Sequence, residues 1–194
     1  MAETPPHIHR KSDTALLLID FINNLDFPEG EALRPHGEKA AIQAQRLKTR
    51  AKNQSVPVIY INDNYGRWQS NFQQIVEFCT SPQSKGKEMS KTVLPEADDY
   101  FVLKPQFSAF FETPLELLLE YLGVKRLILT GVAGDKCIHF SANDAYMRGF
   151  ELYVPEDCLA SDEKSNNIQA LSLMKGVLGA DTTPSSRLEF PLDK

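Results

Sequence analysis

Three side chains able to do covalent chemistry stand at the ends of apolar runs. "TALLLID" closes on the carboxylate of Asp20, "YFVLK" closes on the ammonium of Lys104, and "RLILTG" leads through the turn "GVAG" to the thiol of Cys137. An acid, a base and a thiol are the parts of a nucleophilic attack on a carbonyl, in which one group takes the thiol proton and a cation holds the anionic partners. Singly, each residue has a more ordinary role. A lone Cys is more often a small core residue, an Asp after a strand a turn former, and a strand-terminal Lys the return to solvent. Their joint occurrence at three strand ends raises the functional reading to equal weight.

A thiol at a helix start faces unsatisfied N–H groups and the positive end of the dipole. From a free pKa of about 8.5, only roughly 3% is thiolate at pH 7, and a fall of about two units needs roughly 2.7 kcal/mol. A helix terminus supplies at most about 1–2 kcal/mol, so an ammonium such as Lys104 is needed for the rest. Asp20 alone would raise the thiol's pKa; the three groups are therefore expected to titrate as one unit, with Asp20 as proton acceptor. Gly131 and Gly134 allow a turn that aims successive N–H groups at one point, as an oxyanion hole requires. A Cys–His pair using His139 is conceivable, but a side chain two positions along a helix points about 200° away. The remaining histidines, His7, His9 and His36, lie in the polar N-terminus or before a helix.

Positioning three strand ends together requires a parallel sheet. The runs "TALLLID", "VPVIYIN", "YFVLK", "RLILTG" and "FELYVP" are continuous rather than alternating, as strands covered on both faces are. A weaker sixth is expected around "ADTT". Between them fall helical patterns: Ala40, Ala44, Leu47 and Ala51 share one face, as do Ile168, Leu171, Lys175 and Leu178. In "TPLELLLEYLG", Thr113 reads as N-cap, Pro114 as first helical residue, Glu116 as capping-box partner and Gly123 as the stop. Strand, helix, strand implies right-handed crossovers and a Rossmann-like three-layer α/β/α sandwich with a mainly parallel sheet of roughly six strands. The whole chain, 1–194, reads as one domain with an irregular insertion at about 62–99, either a lid or a subunit contact.

Composition limits the partners. The formal charge is −5, with 42% hydrophobic and 24% charged residues over 194 positions. Such a balance argues against nucleic acid, no run is long enough to span a bilayer, and the start lacks a signal peptide's apolar centre. A cytoplasmic protein is expected. Cys79, Cys137 and Cys158 are odd in number and lack a CxxC pair, so they read as free thiols rather than a disulfide or zinc framework.

The blocks "LLLIDFINNLDFP", "LKPQFSAFF" and "LILTGVAGDKCIHFSANDAYMRGFELYVPEDCLAS" resemble the isochorismatase-like cysteine hydrolase superfamily, over roughly Thr14 to Thr182. That superfamily includes nicotinamidases, N-carbamoylsarcosine amidohydrolases and ureidoacrylate amidohydrolases. The resemblance implies a catalytic triad of Asp20, Lys104 and Cys137, a cis peptide between Val132 and Ala133, and an oxyanion hole from the backbone N–H groups of Ala133 and Cys137. It also implies a homodimer or homotetramer. Departures occur at Ile22, where many members have Gln, and at Gly134, where many have Thr. The Asp-x-His of nicotinamidase metal sites is replaced by Asp63, Asn64 and Tyr65, so no metal and no cofactor are expected. Isochorismatases proper can lack the cysteine, and Cys137 therefore favours acyl chemistry on an amide or ureido substrate. The alternatives are a vinyl ether hydrolase and a non-catalytic ligand-binding protein on this fold. Phe27, Trp68, Phe107 and Phe110 are expected to line the substrate pocket. Core packing of Phe110 and surface exposure of Trp68 are the competing readings.

Overall fold

The computed structural model describes residues 11–66, 68 and 71–190. His7 and His9 lie outside them. The chain runs β1 (Thr14–Ile19), α1 (Gly30–Asn53), β2 (Val58–Asp63), α2 (Phe72–Thr80), α3 (Lys87–Thr92), β3 (Tyr100–Lys104) and α4 (Leu115–Leu122). It continues through β4 (Arg126–Val132), a π-helical turn (Gly134–Ile138), α5 (His139–Met147), β5 (Glu151–Tyr153), β6 (Leu159–Ala160) and α6 (Lys164–Leu178). Every pair of these strands that meets is parallel, in the order β3-β2-β1-β4-β5 with β6 beside the end of β4. After β3 the chain crosses to the other side of β1, so the order reverses between β1 and β4. A crevice opens at such a reversal, beyond the carboxyl ends of the strands.

The unbroken apolar run of β1 reflects two cores. Leu16 and Leu18 face α1 with Val58 and Tyr60, whereas Ala15, Leu17 and Ile19 face α4, α5 and α6 with Ile59 and Ile61. Along α1, Ala40, Ala44, Leu47 and Ala51 are all buried, as their spacing requires. On α6 the buried stripe is Ala170, Met174 and Leu178 rather than the expected Ile168, Leu171, Lys175 and Leu178. Small Ala170 lets the helix approach closely, and Ile168 is left exposed.

Two further expectations change. The sixth strand is Leu159–Ala160, paired with Gly131 and Val132, while "ADTT" contributes only an isolated bridge from Asp181 to Tyr153. Because β5 ends at Tyr153, the upper part of β4 is open to the returning chain. At α4 the first helical residue is Leu115, one later than expected. Thr113 Oγ1 still accepts from the Leu115 N–H at 3.3 Å, but Glu116 pairs with Arg148 at 2.8 Å instead of closing a capping box.

The 62–99 insertion folds into α2 and α3 against α1. Lys48, fully buried on α1, meets Asp99 at 2.6 Å, the Leu94 carbonyl at 2.9 Å and the Tyr60 hydroxyl at 3.0 Å. Lys52 adds bonds to Glu96, Asp98 and Asp99. On the other side, Ser90 Oγ accepts from the Asn23 N–H at 3.1 Å, which fixes the loop after β1 to α3.

Candidate active site

Strand register brings the acid and the base together. Asp63 of β2 lies beside Lys104 of β3, and Ile19 of β1 lies between Ile61 and Gly131. Asp20, one residue past β1, adopts φ 53°, a left-handed conformation uncommon for a non-glycine residue. Its N–H donates to the Ile61 carbonyl at 2.8 Å, and its Oδ1 accepts from the Asp63 N–H at 2.8 Å. The other oxygen, Oδ2, receives Lys104 Nζ at 2.7 Å. The long Lys104 side chain thus reaches beneath the end of β2, and Nζ also stands 3.5 Å from Cys137 Sγ. Asp20 is 4% exposed and Lys104 1%, so the ion pair is screened from water.

Cys137 arrives on a tightly specified turn. Gly131 has φ 139°, and a Cβ there would fall 1.9 Å from the Ile19 carbonyl oxygen. The Val132–Ala133 peptide is cis. Rather than entering an α-helix directly, residues 134–138 form a π turn in which the Ile138 N–H donates to the Ala133 carbonyl at 3.2 Å. Such insertions are frequent at functional sites. The turn is held from α6 and β6: Ser161 Oγ accepts from the Asp135 N–H at 3.2 Å, and Asn167 occupies the space beside Gly134, where a Cβ would lie 2.2 Å from Asn167 Oδ1. Ser141 Oγ donates to the Cys137 carbonyl at 2.6 Å.

Electrostatics oppose early ionisation of the thiol. Burial pushes the Cys137 pKa up and Asp20 adds to the rise, while Lys104 pulls it down without prevailing. The sequence requires a lowered pKa for spontaneous thiolate. The structure gives the opposite direction, because desolvation and the carboxylate outweigh the ammonium. Lys104 itself loses from burial, but Asp20, Cys137 and Asp63 hold its pKa above the ordinary value. The thiol, its pKa raised by burial and by Asp20, therefore stands beside the Asp20–Lys104 ion pair.

Asp20 and Cys137 line a cleft of about 490 Å³, while Lys104 is buried outside its lining. Phe27 and Phe107 line it. Phe110 does not: it is 5% exposed in the core beneath α4 and α5, against Phe150 and the Arg148 guanidinium. Trp68 is 80% exposed and is absent from the cleft wall, as its polar flanks "GR" and "QSN" allow. His139 lines a separate depression with Asp135 and Asn166, away from the thiol. Asn23, Asn24 and Asn64 each accept from the N–H two residues on, the turn role of their type. Asp63, Tyr65, Lys136 and Asp162 also line the cleft. Asp63 ends β2 as Asp20 follows β1, so the strand-end rule extended to "VIYIND" finds it, whereas Asp162 follows a two-residue strand that carries no sequence signal. Among the described residues, no group of three or more His, Cys, Asp or Glu side chains stands close enough to hold a metal ion. No helix among them is long and apolar enough to cross a membrane.

Comparison with known proteins accords with this architecture. The Isochorismatase domain family matches residues 14–185. The isochorismatase family protein YaaI of Bacillus subtilis is 43% identical over 178 residues, covering 92% of this chain and 97% of its own. Maleamate amidohydrolase of Pseudomonas putida is 29% identical over 156 residues, covering 75% and 71%. The crystal structure of N-carbamoylsarcosine amidase from Thermoplasma acidophilum superimposes with a TM-score of 0.72 at 24% identity, covering 92% of this chain and 99% of that one. A parallel sheet with its crevice at the β1/β4 reversal, together with a family match spanning nearly the whole sheet, identifies the lineage: the chain belongs to the isochorismatase family of hydrolases.

Proposed function

We propose that the protein hydrolyses a C–N bond of a small amide or ureido substrate through a thioester on Cys137. The observation that carries this reading is the buried Lys104 Nζ held 2.7 Å from Asp20 and 3.5 Å from Cys137, both of which line an open cleft. Asp20 takes the thiol proton as Sγ attacks the substrate carbonyl, so charge appears on sulfur only while the new C–S bond forms. The backbone N–H groups of Ala133 and Cys137 hold the tetrahedral oxyanion. Asp20 returns the proton to the departing nitrogen, and ammonia or an amine leaves. Water, deprotonated by Asp20, then hydrolyses the thioester and restores the thiol. Lys104 keeps Asp20 oriented and balances the charge shared among the three groups. The amidohydrolase and amidase activities named for two similar proteins support a C–N bond as the target.

The test is ammonia release from a panel of primary amides and ureides, with intact-mass detection of the acyl-enzyme after rapid acid quench. Expected are release by the wild type and a mass adduct on Cys137, both lost in Cys137→Ala. Activity confined to vinyl ethers and retained in Cys137→Ala would overturn the reading.

A further inference from the structure

Resting on the amide-hydrolase reading, we infer that the cleft selects substrates whose far end is cationic, or neutral and rich in hydrogen-bond donors, and disfavours amides that carry a carboxylate. The charges around the cavity carry this inference. Five carboxylates line it: Asp20, Asp26, Glu29, Asp63 and Asp162. Three ammonium groups meet them, Lys104 on Asp20 at 2.7 Å, Lys85 on Asp26 at 2.7 Å and Lys136 on Asp162 at 3.7 Å.

Glu29 and Asp63 have no cationic side chain within ion-pair distance among the described residues, so the cleft carries an excess of negative charge. One oxygen of Asp63 is occupied by the Tyr65 N–H at 2.6 Å. Asp63 stands beside both Asp20 and Lys104 in the sheet register. It lines the same cleft as Cys137. On the opposite wall, Oδ1 of Asp162 is shut off from solvent and accepts no hydrogen bond, and the Lys136 ammonium stands too far away to supply one. A buried acceptor without a donor is costly unless something supplies it. That oxygen is closed to the cleft as well as to bulk water, so it adds negative charge to the wall rather than a contact for the substrate, and a second carboxylate would meet that charge. Charged walls of one sign also concentrate oppositely charged solutes in a cleft and repel like-charged ones. Maleamate, the substrate in the name of one relative, is an anionic amide, so this cleft predicts a different preference.

The test separates charge selection from catalysis. Methanethiosulfonate reagents carrying an ammonium group, a methyl group or a sulfonate form a disulfide with an accessible thiol and release a sulfinate, without requiring turnover. Cys79 and Cys158 are fully buried, and Cys137→Ser serves as the control. Rates of Cys137 labelling are measured by intact mass and divided by those of the same reagents with free 2-mercaptoethanol. The expected result is a cationic-to-anionic rate ratio of about tenfold or more at low salt, falling towards one in Asp63→Asn/Glu29→Gln and in 0.5 M KCl. Because a ratio is read, any change in thiol reactivity caused by the substitutions cancels.

Turnover of β-alaninamide, butyramide and succinamate, which share the same spacer before the carboxamide, forms the second arm. Its expected order of kcat/KM is cationic, neutral, anionic. A labelling ratio near or below one, or failure of all three reagents to reach Cys137, would overturn the inference. A high ratio with no amide turned over would leave charge selection standing and count against the amide reading itself.

Discussion

Lys104 is an ammonium with almost no access to water, held between a carboxylate and a sulfur, and this placement governs how Cys137 can react. Since burial and Asp20 raise the thiol's pKa, the proposed reaction has the proton leave as a substrate carbonyl accepts the electron pair. Alkylation of Cys137 by iodoacetamide should therefore be slow at pH 7.5 and climb above pH 9, as followed by intact mass across pH. Asp20→Asn removes the anion and lowers the thiol pKa, so alkylation at neutral pH should accelerate while turnover falls about 10²–10⁴-fold. Lys104→Met should slow both. A wild-type labelling rate that levels off below pH 8 would contradict this ordering. The opposite responses to Asp20→Asn separate a proton acceptor from a residue that only supports the fold.

At the scale of elements, the π turn before α5 depends on a contact between segments distant in sequence. Asn167 on α6 fills the space that a side chain at Gly134 would need. Gly134→Thr should destabilise the protein by about 1–3 kcal/mol through overpacking, measured by urea unfolding. Adding Asn167→Ala should restore part of that loss, with a coupling of about 1 kcal/mol. Additive effects of the two substitutions would mean that the contact is unimportant. Elements with strong patterns were legible in the chain: the α1 stripe and the five strands read from apolar runs stand where their patterns put them. The α6 stripe and the sixth strand were not. A mixed face of Ala and Met carries little amphipathic signal, and a two-residue strand is defined by its partner β4 rather than by its own residues.

Across the whole molecule, buried ionisable groups join the insertion to the sheet. Lys48→Met leaves Asp99 with Lys52 as its remaining cation, and the loss should be about 3 kcal/mol, near the lower end for a broken buried pair. Thermal unfolding of the variant checks it, and an unchanged Tm would argue that the network is unimportant to stability. Alkaline pH should also destabilise the wild type. Burial pushes Cys79 up to about 11 from 9.0, and it raises Cys158 and Tyr60 as well. Between the unfolded and folded pKa values the folded state holds more protons, so stability is full below about pH 9 and declines as pH rises, by roughly 1.4 kcal/mol per unit for each such group. Chemical denaturation at pH 8, 9 and 10 reads this slope directly.

The sequence by itself determined the parallel α/β sandwich, because apolar runs covered on both faces and the helices between them allow few other arrangements. It also determined that Asp20, Lys104 and Cys137 emerge at one edge, because parallel strands end on the same side. Only the tertiary structure decided what that edge feels like chemically. Whether the thiol's pKa rises or falls depends on burial and on distances of a few ångströms among three residues that are far apart in sequence. Phe110 and Trp68 left the pocket for the same kind of reason: an aromatic ring packs where space and dry contacts exist, which its neighbours in sequence do not reveal. Asp162 came to the cleft, with an oxygen left unpaired, because β6 docks on the end of β4, a pairing decided by shape rather than by any local pattern.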